Sequence, residues 1–522
     1  MTRNIYIIVF SLFSLVSLSG CNEWLDLKPE SEIILDEYWQ TESDVEFVLS
    51  ACYRGLTEDS TIYRMIVWGE LRSDNMTVGN SISYDMWRIL EGDMTSTNIY
   101  CKWGSFYTII NFCNTLLYYA PFVLDRDENF TETDLRKVEA EAYTLRALCY
   151  FYLVRAFKEV PWIEDPSIDD LQDYKYGKET EGVILGHLIE DLKYARGHAV
   201  VDFGKTAFNK GRITRNAVDA LLADIYLWKG DYDNCIESCN NILSDKKLKL
   251  VEQKFMLSQV FYLGNSTESI FELQFDDDVQ QNNAVFALYG RSGDPNGDIC
   301  LPASLAYDTE EDLPGLFCPF FYKGANNTIE SSKDIRTKDF VRLYGGSNFI
   351  FKYAGISRVE NFAGISTYRY RTNTANWIIY RLSDIMLMKA EALVQKTNEE
   401  DFAEALLLVN KTYLRSNENQ DSLMMNNYPT KADLEDLVLR ERQRELMFEG
   451  KRWFDLVRMA RRDNLTDIVN DFIGHKISGD KATIGVPVLD ALYMPISKTE
   501  LDANSNLKQN PYYELTGSSS TR

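Results

Sequence analysis

Histidine is almost missing from this chain. There are three in 522 residues, His187, His198 and His475, and none belongs to an HExxH pair or an evident Ser-His-Asp setting. Zinc-dependent hydrolysis and triad chemistry therefore lack their usual residues. No GxSxG elbow occurs. The phosphate-loop-like FGKT, ending in Gly204 to Thr206, lacks its opening glycine because Ala199 holds that place. Nine cysteines include no CxxC pair, so a cysteine-based zinc site has no basis. Positive charge is scarce too: 55 Lys plus Arg face 79 Asp plus Glu, a formal charge of −24. Such a surface repels phosphate backbones and anionic head groups, which argues against nucleic acid and against docking to membranes by charge.

What is present starts at the amino end. Arg3 is followed by a nearly unbroken apolar stretch from Ile5 to Val16 and then by Ser17, Ser19 and Gly20, the three regions of a secretory leader. The stretch falls short of the roughly 20 residues that a spanning helix needs, and Glu23 and Asp26 follow at once. Leu18-Ser19-Gly20-Cys21 is similar to a bacterial lipobox, in which the cysteine carries lipid as the first residue of the mature chain. The reading is a signal peptide over 1–20, lipidation at Cys21, a tether over 21–35 and a single soluble domain over 36–522. No further apolar span of membrane length appears.

That domain divides by pattern into a helical part (36–244), a loop-rich insert (245–375) and a second helical part (376–522). In EAEAYTLRALCYFYLVRAF, Ala142, Leu145, Cys149, Tyr152, Leu153 and Ala156 recur at helix spacing and predict one apolar stripe, ending before Pro161. RNAVDALLADIYLWKGDYDNCIESCNNIL holds two amphipathic stretches joined by KGD, with Gly230 as C-cap. With Ala223, Tyr226 and Tyr232 it resembles a tetratricopeptide hairpin. SDIMLMKAEALVQKTNEEDFAEALLLVNKTYL reads as a second hairpin with an acidic turn. Such pairs bury their apolar faces only by stacking on neighbours. Cys113, Cys149, Cys235 and Cys239 fall on helical patterns and read as small apolar fillers. The insert is turn-rich, with brief strands suggested at FVRL and FIFKY, and loops on a rigid scaffold are where binding residues concentrate. Cys300 and Cys318 leave a disulfide open there.

LRERQRELMFEGKRWFDLVRMARR, residues 439–462, places Arg440 over Arg444 and Glu441 over Glu445. Like charges four apart destabilise a lone helix, so partners are expected on other segments, in a structural network. Gly450 is expected to close the first helix, and Trp453, Phe454, Leu456 and Val457 to anchor the second. Here the chain resembles the SusD/RagB family, through the lipobox with WLDLKPES, WGELRSDN, EAEAYTLRALCYFYLVRAFKEVPWI, GRITRNAVDALLADIYLWKGDY, IIYRLSDIMLMKAEAL, ERQRELMFEGKRWFDLVR and the ending YMPISKTELDANSNLKQNPYYE. The resemblance implies a mainly α, SusD-like fold of tetratricopeptide-like hairpins carrying an irregular ligand-binding insert. It implies a non-catalytic outer-membrane surface lipoprotein that binds glycan, or in some members peptide, and passes it to a partner TonB-dependent transporter of the SusC type. A surface glycosidase is the rival reading, since paired carboxylates alone would serve it.

A sugar's C–H face packs on an aromatic ring while its hydroxyls need donors and acceptors nearby. Aromatics make up 13% of the chain, more than a core alone explains. Asp74, Asn75, Tyr84, Trp87 and Arg88 in the first loop, and Tyr289, Arg291, Phe320 and Tyr322 in the insert, offer that mixture. Trp68 and Trp103 sit in helix-like motifs and are assigned to structure. No metal or other cofactor is expected. Asp276 to Asp278 carry calcium-type oxygen donors, without EF-hand spacing.

Overall fold

The computed structural model describes residues 35–79, 81–168, 172–275, 283–289, 300–302, 322–323, 329–331, 334–344, 347–353, 355–360, 366–370, 374–474 and 485–517. Cys21, Asp276 to Asp278 and Cys318 lie outside them. Helices dominate, as the sequence pattern anticipates.

The longest helix is Glu132–Phe157. Its start is written locally: Thr131 and Asp134 exchange amide-to-side-chain hydrogen bonds of 3.3 Å, satisfying two end donors. One apolar stripe understates this helix. From Thr144 to Phe157 every side chain is buried, because Gly104–Val123 packs on it from one direction and Glu181–His198 from another. Its buried charged residues are paired: Glu141 with Arg212 at 2.6 Å, Arg146 with Asp191 at 2.6 Å and Arg155 with Asp224 at 3.3 Å. Trp68 and Trp103 lie in the same core.

Arg215–Lys229 and Tyr232–Leu243 form the first hairpin, with Gly230 at φ 80° turning the chain between them. Leu382–Lys396 and Glu399–Ser416 form the second. Its turn is Thr397-Asn398, and the acidic residues Glu399 to Asp401 lie in the next helix's first turn, where the macrodipole favours them. The two hairpins meet where Tyr232–Leu243 packs on Leu382–Lys396. Cys113, Cys149, Cys235 and Cys239 are buried free thiols.

The insert leaves and re-enters the helical body through one antiparallel pair, Ser269–Leu273 with Trp377–Arg381, in which every residue is buried. Val341–Tyr344 pairs with Ser347–Ile350 beside the two expected strand positions. Met76–Val78 pairs with Cys300–Pro302, tying the insert to the first loop.

The charged block folds as two helices, Lys431–Leu446 and Arg452–Asp463. Trp453, Phe454, Leu456 and Val457 are all buried. Gly450 does not close the first helix. The chain leaves it at Leu446, since Phe448 turns to φ 68° and gives its amide to Glu70 at 2.8 Å. Gly450, at φ 73°, instead lets two backbones touch: a Cβ on Gly69 would stand 1.9 Å from the Gly450 carbonyl oxygen. Gly69→Ala should therefore lower stability by about 3 kcal/mol in urea unfolding, and a loss below about 0.5 kcal/mol would show that the two segments are not in contact.

The like-charge pattern finds its partners. Arg336 donates to Glu441 at 3.0 Å and to Glu445 at 2.9 Å. Arg381 donates to Glu445 at 2.5 Å, Glu268 at 2.7 Å and Glu449 at 2.7 Å. Lys352 reaches Glu449 at 2.5 Å, Arg415 reaches Glu268 at 3.0 Å and also Glu445, and Arg444 turns to Glu441 at 3.0 Å. Arg440 is the exception, making an ordinary i,i+4 pair with Asp436 at 2.7 Å. Both ends of the insert and two points inside it are thus pinned to one acidic row.

Candidate aromatic binding platform

The first loop presents a short helix, Tyr84–Leu90, started by the Ser83 hydroxyl, which accepts the Met86 amide at 3.3 Å. Six of its seven residues sort by helical spacing into two faces. Met86, Ile89 and Leu90 are buried, while Tyr84, Trp87 and Arg88 lie on the other side, with Tyr84 68% exposed. The Tyr84 and Trp87 rings are stacked, 5.8 Å between centroids and 27° apart in plane. The Arg88 guanidinium sits 5.8 Å from the Tyr84 ring centroid. It is held there by Asp93, at 2.8 and 3.1 Å, and by Thr95 at 3.4 Å. Gly92, at φ 73°, turns the chain so that Asp93 comes back beside Arg88.

Behind the helix the packing is tight. Ile89 and Leu90 share with Arg72, Trp453 and Tyr512 a void of about 10 Å³, room for one water at most. Arg72 fills that space by lying 4.0 Å over Trp453 and donating to the Leu492 and Ala491 carbonyls at 2.5 and 2.8 Å. A ligand would therefore meet an outward platform and not an enclosed chamber. Stacked faces plus a fixed guanidinium can pack a sugar ring and hydrogen-bond its hydroxyls. They supply no nucleophile or proton shuttle.

The other candidates separate. Asn75 is 1% exposed and does not face solvent. Its amide donates to Glu70 at 2.7 Å and accepts from Gln443 at 2.9 Å. Asp74 is held by Arg452 at 2.8 and 3.0 Å and by Gln443 at 2.7 Å. Both read as ligand donors because amides and carboxylates beside aromatics suit sugars, yet both join the first loop to the charged block. Tyr289 is likewise corrected: it is 1% exposed, near the rings of Tyr353 and Phe448, with its hydroxyl donating to the Phe448 carbonyl at 2.8 Å. Arg291 and Phe320 lie outside the described residues. Tyr322 pairs with Ser331 in a short ladder, and its side chain lies outside the description.

Three groups of the buried junction and charged block are strongly shifted. Burial raises the Glu70 carboxyl to about 6, against the opposing pull of Asn75 and of the Phe448, Lys451 and Arg452 amides. Burial would also raise Asp455, but Arg442 and Arg458 outweigh it and hold that carboxyl at about 2. Burial beside Arg381 lowers Lys352 to about 8 despite Glu449. Such shifts accompany structural ion networks as well as catalysis, and here each group is enclosed by its partners.

Residues 344–513 match the family model described as SusD family, and residues 23–227 match one described as starch-binding associating with outer membrane. The chain belongs to the SusD/RagB family. It is 25% identical over 504 residues to SusD-like protein P38 of Formosa agariphila, covering 91% of this chain and 95% of that protein. With the starch-binding protein SusD of Bacteroides thetaiotaomicron it shares 23% identity over 444 residues, 75% of this chain and 76% of that one. The fold is that of a SusD-superfamily structure from Bacteroides thetaiotaomicron, with a TM-score of 0.70 at 19% identity over 91% of this chain and 99% of the other. Two segments that carry the family resemblance, WGELRSDN and ERQRELMFEGKRWFDLVR, are the ones bonded together through Glu70, Asp74 and Asn75. In this SusD-family chain they hold the fold, and the platform stands next to that junction without belonging to it.

Proposed function

We propose that this SusD-family chain is a non-catalytic glycan-binding lipoprotein of the outer membrane, anchored through Cys21, facing the exterior and passing its ligand to a TonB-dependent transporter. The observation that carries the binding role is the stacked Tyr84–Trp87 pair beside a braced Arg88, an exposed aromatic surface on a helix whose other face is locked in the core. The lipobox-like run and the description of the amino-terminal family model support the location. The bonded enclosure of the shifted carboxylates supports the absence of hydrolysis.

The test is titration of the purified chain, in a detergent free of sugar, against a panel of oligosaccharides. Binding to at least one glycan is expected, with no release of reducing ends. Trp87→Ala should weaken it about tenfold or more while the helical spectrum stays intact. Unchanged affinity would remove the platform, released reducing ends would remove the non-catalytic role, and binding confined to peptides would replace the ligand class.

A further inference from the structure

Three segments distant in sequence, 201–216, 241–248 and 265–270, enclose an open cleft of about 410 Å³ that shares no residue with the platform. That volume falls within the range of small-molecule sites. No aromatic ring lines it. Its lining mixes amides, hydroxyls and charges with the aliphatic Val201, Leu248 and Ile270, and the polar groups are held in place. Asp202 accepts from Asn209 and from Lys247, both at 2.7 Å. Asp245 accepts from Asn216 at 2.8 Å.

Arg215 differs from these. Its Nε is buried without a hydrogen-bond partner, and its nearest charged influence is the Asp219 carboxylate one turn along the same helix, which Arg196 already holds at 2.5 Å. In a chain of formal charge −24, most of whose buried arginines are hydrogen-bonded to acids, a half-buried guanidinium without such a bond at a cleft suits the recognition of an anion. Arg215 is the first residue of the 15-residue helix Arg215–Lys229, whose N-cap residue Thr214 makes no side-chain cap. The Arg215 amide is taken by the Val200 carbonyl at 3.0 Å, so the helix start adds its dipole beside the guanidinium without a free Arg215 amide.

We propose that this cleft is a second binding site, for a sugar that carries a carboxylate, such as a uronic acid. The carboxylate pairs with Arg215, and the ring hydroxyls exchange hydrogen bonds with Asn209, Asn216 and Asp245. A neutral sugar leaves Arg215 unpaired. A bare phosphate leaves most of the cleft empty and the Asn209, Asn216 and Asp245 side chains unused.

The probe is trigalacturonate, titrated calorimetrically into the full chain in sugar-free detergent beside its methyl ester, neutral galactotriose and inorganic phosphate. Trigalacturonate should bind, and esterification or Arg215→Met should each weaken it about tenfold or more. Thr206→Trp, an exposed substitution on the lining, should block binding with the fold intact. No binding of trigalacturonate, unchanged affinity in both cleft variants, or phosphate competing as well as the acidic sugar would each overturn the proposal.

Discussion

Glu445→Ala is expected to cut the free energy of unfolding by about 5 kcal/mol, the upper end for removing one member of a buried ion network. Three guanidiniums, those of Arg336, Arg381 and Arg415, point at this carboxylate, and its side chain and theirs are almost wholly shut off from water. Burial alone would raise its pKa, but Arg415, Arg381 and Arg336 outweigh burial and hold it well below the ordinary carboxylate range. A folded pKa below the unfolded one means that the carboxylate contributes stability above the ordinary range and loses it as pH falls toward the folded value. The alanine variant should therefore lose less stability on acidification than the parent does. Glu445→Gln, which keeps the shape without the charge, should fall between the two. Urea unfolding at neutral pH decides the matter: an alanine variant within about 1 kcal/mol of the parent would show that the remaining acids satisfy the three arginines without it.

That network also shows which parts of the fold were legible in the sequence. Glu441 and Glu445 are four apart, and the spacing alone says their partners must come from elsewhere. It does not say from where. Arg336, Arg381 and Glu268 sit at the edges of short, irregular elements inside or bordering the insert, where no periodicity reports on neighbours. Gly230 was legible because a C-cap at positive φ is a local requirement that glycine meets. Gly450 looked the same and was not, since the helix ends earlier to let Phe448 reach Glu70. Local chemistry fixes local turns, whereas the Gly69–Gly450 contact depends on segments that only tertiary packing brings together.

The candidate site was legible to the same depth. Tyr84, Trp87 and Arg88 read as loop residues with the right chemistry, and their shared outward face follows from the short helix Tyr84–Leu90 that the structure adds. Asp74 and Asn75 have the right chemistry for a sugar, but facing is decided by the π-helical turn Val67–Leu71, which brings Glu70 to its amide partners beyond Leu446 and carries Asn75 with it. Tyr289 is in a turn-rich stretch that reads as surface, yet its hydroxyl has a buried carbonyl to satisfy. The polar cleft carries no sequence signal, because its lining comes from three loops whose residues are ordinary loop residues one at a time.

Glu70→Ala is the second large effect, and its pH dependence sets it apart from the first. Glu70 is fully buried, and no cation pairs with it among the described residues. Its two oxygens accept from the Asn75 amide at 2.7 Å, the Phe448 amide at 2.8 Å and the Lys451 amide at 3.1 Å, so one carboxylate satisfies the backbone entering Arg452–Asp463. Removing it orphans these donors, at about 4 kcal/mol in total near neutral pH. Burial lifts the folded pKa from 4.5 to about 6, so between those values the folded state holds more proton than the unfolded one. Stability from this group therefore rises as pH falls from 6 toward 4.5, by about 2 kcal/mol, and is flat above. The gap between parent and alanine variant should widen by that amount over the window, whereas Glu445→Ala shows no widening there. Below it Asp455, held at about 2, and its network destabilise both chains alike as they take up protons. Urea unfolding of parent and variant at steps between pH 7 and 4.5 measures the gap directly, and parallel stability curves would mean that Glu70 keeps an ordinary pKa and that its burial is offset in some other way.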